Sequence, residues 1–408
     1  MSKKSSDYSE LSKSLTATIN KTDKQKYGIY FTPPETIIKN IEFLKPFMKD
    51  IKTILEPSCG SCEYIIALKN INQDSNIIGV ELNKTIFKSI KHIEEDNITL
   101  FNDNYLTHDF NSKFDLIIGN SPYFVMKKKE VHLKYHDYFE GRPNIFILFI
   151  IKSLELLNDN GIMSFVLPKN FLNCLYYDKT RKYIVENYNI LTIIDCSADK
   201  YMDTQQDTII LIIQNDKPKD NNISHHIVVS EYTIFGTPDN IKELQELYRD
   251  SQTLFELGYK VNVGNVVWNQ CKNELFDDSD KTLLVYSSDI ENNTLSIKNY
   301  SNPEKKNYID REGTTDPLLI INRGYGVGKY NFNYCIINEN SNTEYLIENH
   351  LICIKNTNTV SNEELITNYR KIIESFENKK TVEFIKIYFG NNAMNTTELC
   401  KILPIYFI

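Results

Sequence analysis

Asn120-Ser121-Pro122-Tyr123 follows a short apolar run, Phe114 to Gly119, and places a carboxamide, a backbone carbonyl and a phenol within four residues. An amine on an aromatic ring, such as that of adenine, is a poor nucleophile because its lone pair is delocalised into the ring. It needs no strong base if two acceptors hold its N–H groups and favour a pyramidal nitrogen. The Asn120 side-chain carbonyl and the Ser121 backbone carbonyl can be those acceptors, and Tyr123 can stack on the ring. A methyl group would then pass in line from a sulfonium. Stacking is worth about 1–3 kcal/mol, which offsets part of the cost of extruding a paired base. Taken alone, the same four residues are equally a turn after a strand.

Three acids stand upstream. Glu56 opens Glu56-Pro57-Ser58-Cys59-Gly60-Ser61-Cys62, a run of small residues after an apolar strand, where backbone can approach a ligand. With only Gly60 and no G-x-G-x-x-G, the turn lacks the means to cradle a pyrophosphate, which favours a cofactor without phosphates, such as S-adenosylmethionine, over NAD. Glu81 follows 25 residues after Glu56, near the offset at which an acid receives ribose hydroxyls. Asp103 closes a third run and could accept the proton of a cofactor adenine amine.

These residues need a scaffold that presents strand ends. Between Ile51 and Asn215, β-rich runs (53–55, 77–80, 98–101, 116–118, 163–167, 191–194, 209–213) alternate with helical patterns, which predicts a mostly parallel sheet covered by helices on both faces. Ahead of it, Thr32-Pro33-Pro34-Glu35 has the form of a capping box. Ile37, Ile38, Ile41 and Leu44 continue it as a helix to about Pro46. Residues 1–24 are polar and mildly basic and read as a mobile tail. A catalytic domain over 25–215 is expected, then a polar linker at 216–222, then a mixed second domain over 223–408 with strands near 261–263, 283–286, 318–321 and 351–354 and a helix near 361–376.

The 408 residues, 41% hydrophobic and 25% charged, suffice for two domains. The longest apolar run, Ile145 to Ile151, is far too short to span a membrane, so a soluble protein, cytoplasmic or wherever its target resides, is expected. A net charge of −8 offers no global attraction for a phosphate backbone, so a nucleic-acid partner needs a local basic face. Eight scattered cysteines suit free thiols in a reducing compartment, and no metal site is expected: Cys59-x-x-Cys62 lacks a second pair, and His132-x-x-x-His136 lacks the following Glu of the hydrolase motif.

Together these motifs resemble the gamma-class amino-methyltransferases, the Taq-type adenine-specific DNA methyltransferases. Tyr27 to Pro34 resembles their N-terminal cofactor motif, Glu56 to Gly60 the first cofactor loop, Glu81 the ribose acid, Asp103 the adenine-binding acid, Asn120 to Tyr123 the Asn-Pro-Pro-Tyr of the catalytic loop, and Ile162 to Asn170 the following strand and loop. The resemblance implies a Rossmann-like α/β domain dependent on S-adenosylmethionine and a C-terminal target-recognition domain. It also implies transfer of a methyl group to N6 of a flipped adenine in duplex DNA within restriction-modification. Tyr30, Thr32, Glu56, Ser58, Gly60, Glu81, Asp103 and Asn120 would bind the cofactor. A monomer is expected, with room for functional pairing with a restriction endonuclease. Three departures stand out: Ser121 replaces a proline, Cys62 stands where a glycine is frequent and would crowd the cofactor, and Ile213 occupies a position that can offer an aromatic, for which Tyr201 is one substitute.

Lys127, Lys128 and Lys129 follow the catalytic tetrapeptide where a target phosphate would pass. Arg323, Tyr325 and Lys329 interleave charge, rings and glycines in a second-domain loop suited to a groove. Three alternatives stay open: a protein glutamine methyltransferase, which also uses Asn-Pro-Pro-Tyr; an RNA adenine methyltransferase; and a catalytically weakened DNA-binding homologue. No Pro-Cys dipeptide occurs, which argues against carbon methylation of cytosine.

Overall fold

Continuous runs of isoleucine and leucine, unlike alternating ones, have no polar face to leave in water, and here they become strands buried on both sides. In the computed structural model, which describes residues 7–322, 332–388 and 394–407, seven of them form one sheet. In chain order they are β1 (Thr53–Glu56), β2 (Asn76–Val80), β3 (Ile98–Phe101), β4 (Phe114–Asn120), β5 (Leu157–Pro168), β6 (Asn189–Asp195) and β7 (Thr208–Gln214). The order across the sheet is β3-β2-β1-β4-β5-β7-β6. The first five pair in parallel, and β7 lies antiparallel to both β5 and β6.

Helices cover both faces. The chain opens with α1 (Glu10–Thr18), α2 (Lys21–Tyr27) and α3 (Pro34–Leu44), and the crossovers use α4 (Glu63–Lys69), α5 (Lys84–Ile90), α6 (Ile145–Glu155) and α7 (Asp178–Asn187). α6 is apolar all round and ten of its eleven residues are buried, as such a helix must be.

Residues 7–24 are not the mobile tail expected. Ser9 and Asn20 cap two helices, and Leu15 and Ile19 pack with Phe31 and Ile86. The capping box at Thr32 does not form: Thr32 is buried, Pro33 takes the cap position without a side-chain bond, and α3 passes into a 3-10 turn at Lys45.

Contacts divide the chain into two units, Met1–Ile241 and Lys242–Ile408, with the boundary later than the polar stretch at 216–222. That stretch is a connection inside the first unit: Asn222 donates to Tyr188 O (2.9 Å) and accepts from Ile190 N (2.8 Å). The hairpin β8 (His226–Val229) and β9 (Tyr232–Phe235) is held by α7. The fully buried Arg181 guanidinium donates to Thr233 O (2.5 Å), and Asp178 accepts from Thr233 N (2.7 Å).

The second unit is mixed. One antiparallel sheet runs in the order Tyr259–Val263, Leu351–Asn356, Leu318–Asn322, Tyr334–Ile337. Another contains one parallel pair, Thr282–Val285 with Tyr345–Ile347. The helix Asn362–Phe376, capped by Ser361, packs Tyr369 inward, whose hydroxyl donates to Ile354 O (2.9 Å). Among the described residues, no helix is long and apolar enough to cross a membrane.

Candidate active site

β1 and β4 are neighbours, but the strand order runs outward from them in opposite directions. The crevice beyond the carboxyl ends of two such strands is where open α/β sheets bind ligands. A cavity of about 520 Å³ lies there, within the size range of small-molecule pockets. The loop after β1 contributes Pro57, Ser58 and Gly60, and Glu81 and Asp103 reach it from the ends of β2 and β3. Asn120 and Pro122 come from β4, and Phe124, Ile145 and Phe149 add apolar surface.

The three acids sit differently. Glu81 is buried, with Oε2 accepting from Gly60 N (3.0 Å) and Oε1 from Asn83 N (2.6 Å), so it ties the loops after β1 and β2 together. Burial pushes its carboxyl up to about 7. Asp103 is half-exposed; its Oδ1 accepts from Asn104 N (2.7 Å) and its Oδ2 is paired with His108 Nδ1 (2.7 Å). That bond holds the carboxyl below the usual range. Glu56, expected at the cofactor, stands behind the cavity and not among its lining residues. It is buried, one of its oxygens has no partner, and burial pushes its carboxyl well above the usual range.

Asn120 is oriented from two sides. Its Nδ2 donates to Tyr30 O (3.1 Å) and its backbone carbonyl accepts from Ser58 Oγ (2.9 Å). Its Oδ1 lies 2.5 Å from the Tyr123 hydroxyl, which also stands 2.8 Å from Val166 O. Tyr123 is thus turned inward, its ring edge-on to Phe146 at 6.2 Å, and burial pushes its hydroxyl well above the usual range. Ser121 is buried and its hydroxyl has no partner. Tyr201 is buried as well.

Cys62 does not crowd the cavity. It takes the left-handed conformation (φ 61°) before α4, its side chain is fully buried among core residues, and it is not a lining residue.

The N-terminal segment contributes what its composition did not signal. Asp23 and Tyr27 to Phe31 line the cavity. Thr32 does not. The Ser12 hydroxyl bonds to Ser61 Oγ (2.8 Å) and Glu63 Oε1 (2.7 Å), and Ser9 adds a bond to Glu63, so α1 is fastened to the segment after β1. Tyr8 donates to Lys200 O (2.9 Å) and Lys24 pairs with Asp203 (2.6 Å). Gly28, in the left-handed region at φ 64°, packs on the segment Asn120 to Tyr123: a Cβ there would stand 2.6 Å from Tyr123 N. Lys127, Lys128 and Lys129 are exposed. Arg323, Tyr325 and Lys329 lie outside the described residues.

Residues 8–201 match the model of the Eco57I restriction-modification methylase family. That match covers most of the first unit. Similarity also extends along the whole chain. The type II methyltransferase M.CvrRI of Paramecium bursaria Chlorella virus XZ-6E is 26% identical over 95% of this chain and 96% of its own length. The modification methylase CviBIII of Paramecium bursaria Chlorella virus NC1A is 26% identical over 98% and 99%. A solved type I restriction-modification system methyltransferase subunit from Streptococcus thermophilus is 20% identical, over 58% of this chain and 57% of that one, with a TM-score of 0.41. The first unit is a Rossmann-like methyltransferase domain whose methyl donor is S-adenosylmethionine.

The cavity residues fit that cofactor. Of the residues lining it, only Lys84 is a cation, which suits a ligand without phosphates. Three carboxylates (Asp23, Glu81 and Asp103), apolar side chains and small loop residues match a nucleoside joined to an amino acid, and one oxygen of the buried Glu56, outside the lining, has no partner.

Proposed function

We propose that the chain methylates N6 of adenine in duplex DNA, with the second unit supplying target recognition. Asn120 carries this reading: a carboxamide at the end of β4, beside the cofactor cavity, held by Tyr30 O so that Oδ1 is presented as an acceptor. The bound cofactor supplies an electrophilic methyl group on a sulfonium. The Asn120 Oδ1 and the Ser121 carbonyl accept the two N–H groups of the target amine and favour the pyramidal nitrogen that attacks. Tyr123 swings from its inward position to stack on the extruded base. Pro122 biases Ser121 toward extended backbone, which keeps that carbonyl in place although Ser121 lacks a locked φ.

Glu81 accepts the ribose hydroxyls and Asp103 the cofactor amine, while Tyr30, Ser58 and Gly60 complete the pocket. Lys127, Lys128 and Lys129 contact target-strand phosphates. DNA is favoured over protein or RNA by the two relatives, whose likeness runs through the second unit as well as the first. Arg323, Tyr325 and Lys329 are assigned to base-groove contact on composition.

Incubation with radiolabelled S-adenosylmethionine and, separately, duplex DNA, RNA and cell-extract protein tests the reading. Label recovered as N6-methyladenine in DNA, and abolished by Asn120→Ala, is expected. Label confined to RNA or protein would overturn it.

A further inference from the structure

We infer that His108 is a positioning residue for the cofactor's adenine, acting through Asp103. This rests on the reading that Asp103 accepts a hydrogen bond from the cofactor's 6-amino group. Asp103 lines the cavity; His108 does not. The imidazole stands behind the carboxylate with Nδ1 2.7 Å from Oδ2, while Oδ1 accepts from Asn104 N (2.7 Å). Each carboxylate oxygen keeps further lone-pair capacity after one such bond, so the two donors fix the plane of the carboxylate and leave acceptor capacity for a ligand.

A histidine paired with a half-exposed acid would ordinarily count for little. His108 differs because it is itself held. Its ring lies 4.9 Å from Phe101 and 4.6 Å from Phe110, and Phe110 packs edge-on to the buried Phe114 at 5.4 Å. Its backbone is pinned from α6: the buried Lys152 ammonium donates to His108 O (2.7 Å) and Tyr105 O (2.6 Å), and lies over the Tyr105 and Phe110 rings at 5.0 and 5.5 Å. An apolar helix carries one lysine inward, and that lysine satisfies two carbonyls of the loop bearing His108. The loop from Asp103 to Phe110 is therefore a preorganised bracket, and the Asp103 carboxylate is one of the groups it presents to the cavity. Without the Nδ1 donor the carboxylate is free to turn about its side-chain torsions, and the cofactor must order it on binding.

The test compares binding of S-adenosylhomocysteine with that of an analogue whose purine lacks the 6-amino group, measured calorimetrically on the full chain. His108→Phe keeps an aromatic ring between Phe101 and Phe110 and removes the donor. His108→Asn restores a donor near the Nδ1 position, and Asp103→Asn is the reference variant. His108→Phe is expected to weaken S-adenosylhomocysteine by about tenfold, the scale of one well-placed hydrogen bond, and to leave the analogue unchanged. His108→Asn should recover part of the loss. If Asp103→Asn selectively weakens the amino-bearing ligand but His108→Phe weakens both ligands equally, or neither, the role of His108 is overturned while that of Asp103 stands. If Asp103→Asn shows no selectivity, the reading of Asp103 falls and the inference falls with it.

Discussion

Replacing Gly28 with alanine should impair catalysis more than folding. Gly28 ends α2 in the left-handed region (φ 64°, ψ 38°), where an alanine costs about 1 kcal/mol. The added Cβ would stand 2.6 Å from Tyr123 N and 3.2 Å from both Pro122 Cβ and Tyr123 O. Ordinary non-bonded contacts lie at about 3.5–4.0 Å, so the closest of these is roughly 1 Å too short. The closest atom met is backbone, which cannot rotate aside, so either the segment Asn120 to Tyr123 or the segment bearing Tyr30 must shift by about that distance. A misplacement of about 1 Å at reacting groups costs on the order of 100-fold in rate. Denaturant unfolding should then show a loss of about 1–2 kcal/mol, and single-turnover methyl transfer at saturating cofactor a fall of about 100-fold. Gly28→Asn adds a side chain that tolerates the left-handed region better. It should regain stability but not rate, because its Cβ stands in the same place. Wild-type turnover in Gly28→Ala would refute the reasoning, as would full recovery of rate in Gly28→Asn.

Both Glu81 oxygens already accept backbone N–H groups, so a proton on this carboxyl displaces a bond, and cofactor binding to the ionised form must release that proton below about pH 7. Cofactor affinity at pH 6 should be about tenfold below that at pH 8, Glu81→Gln should flatten the profile, and a flat wild-type profile would count against the ribose role. Because the folded-state pKa is raised, the stability this group contributes is full below its ordinary value of 4.5 and lost as pH rises through about 7. At Tyr123, phenylalanine keeps the stacking face and removes the hydroxyl that occupies Asn120 Oδ1, so Tyr123→Phe should stay within about tenfold of wild-type transfer. Tyr123→Ala should lose about 10- to 100-fold, and equal losses in steady-state assays of the two variants would argue against stacking.

The sheet was legible because its strands are buried on both faces: runs such as Ile209 to Ile213 have no alternative use. The strand-end positions of Glu81, Asp103 and Asn120 beside the cavity were legible because isolated polar residues interrupt that apolar texture, whereas Glu56, at the same kind of strand end, lies outside the lining. Other features depend on partners that leave no local mark. Leu15 and Ile19 look like stray apolar residues until Phe31 and Ile86 complete their cluster. The attachment of the β8–β9 hairpin to the first unit uses Arg181, which donates to backbone carbonyls of Thr233, Phe171 and Cys174, atoms every residue possesses. His108 carried no signal because its meaning lies in the rings on either side of it. Lys152 did leave one, a lone cation at the end of an apolar run. The inward turn of Tyr123 reverses the expectation of an open stacking face, since Asn120 Oδ1 and Val166 O offer its hydroxyl two acceptors.

That hydroxyl has one hydrogen for two oxygens, 2.5 and 2.8 Å away. It can donate to only one of them at a time. On the proposed reading, the target amine brings a donor of its own to Asn120 Oδ1 and displaces the hydroxyl from it. Tyr123 then has less reason to remain where it was, and the substrate's entry and the ring's departure become parts of one exchange.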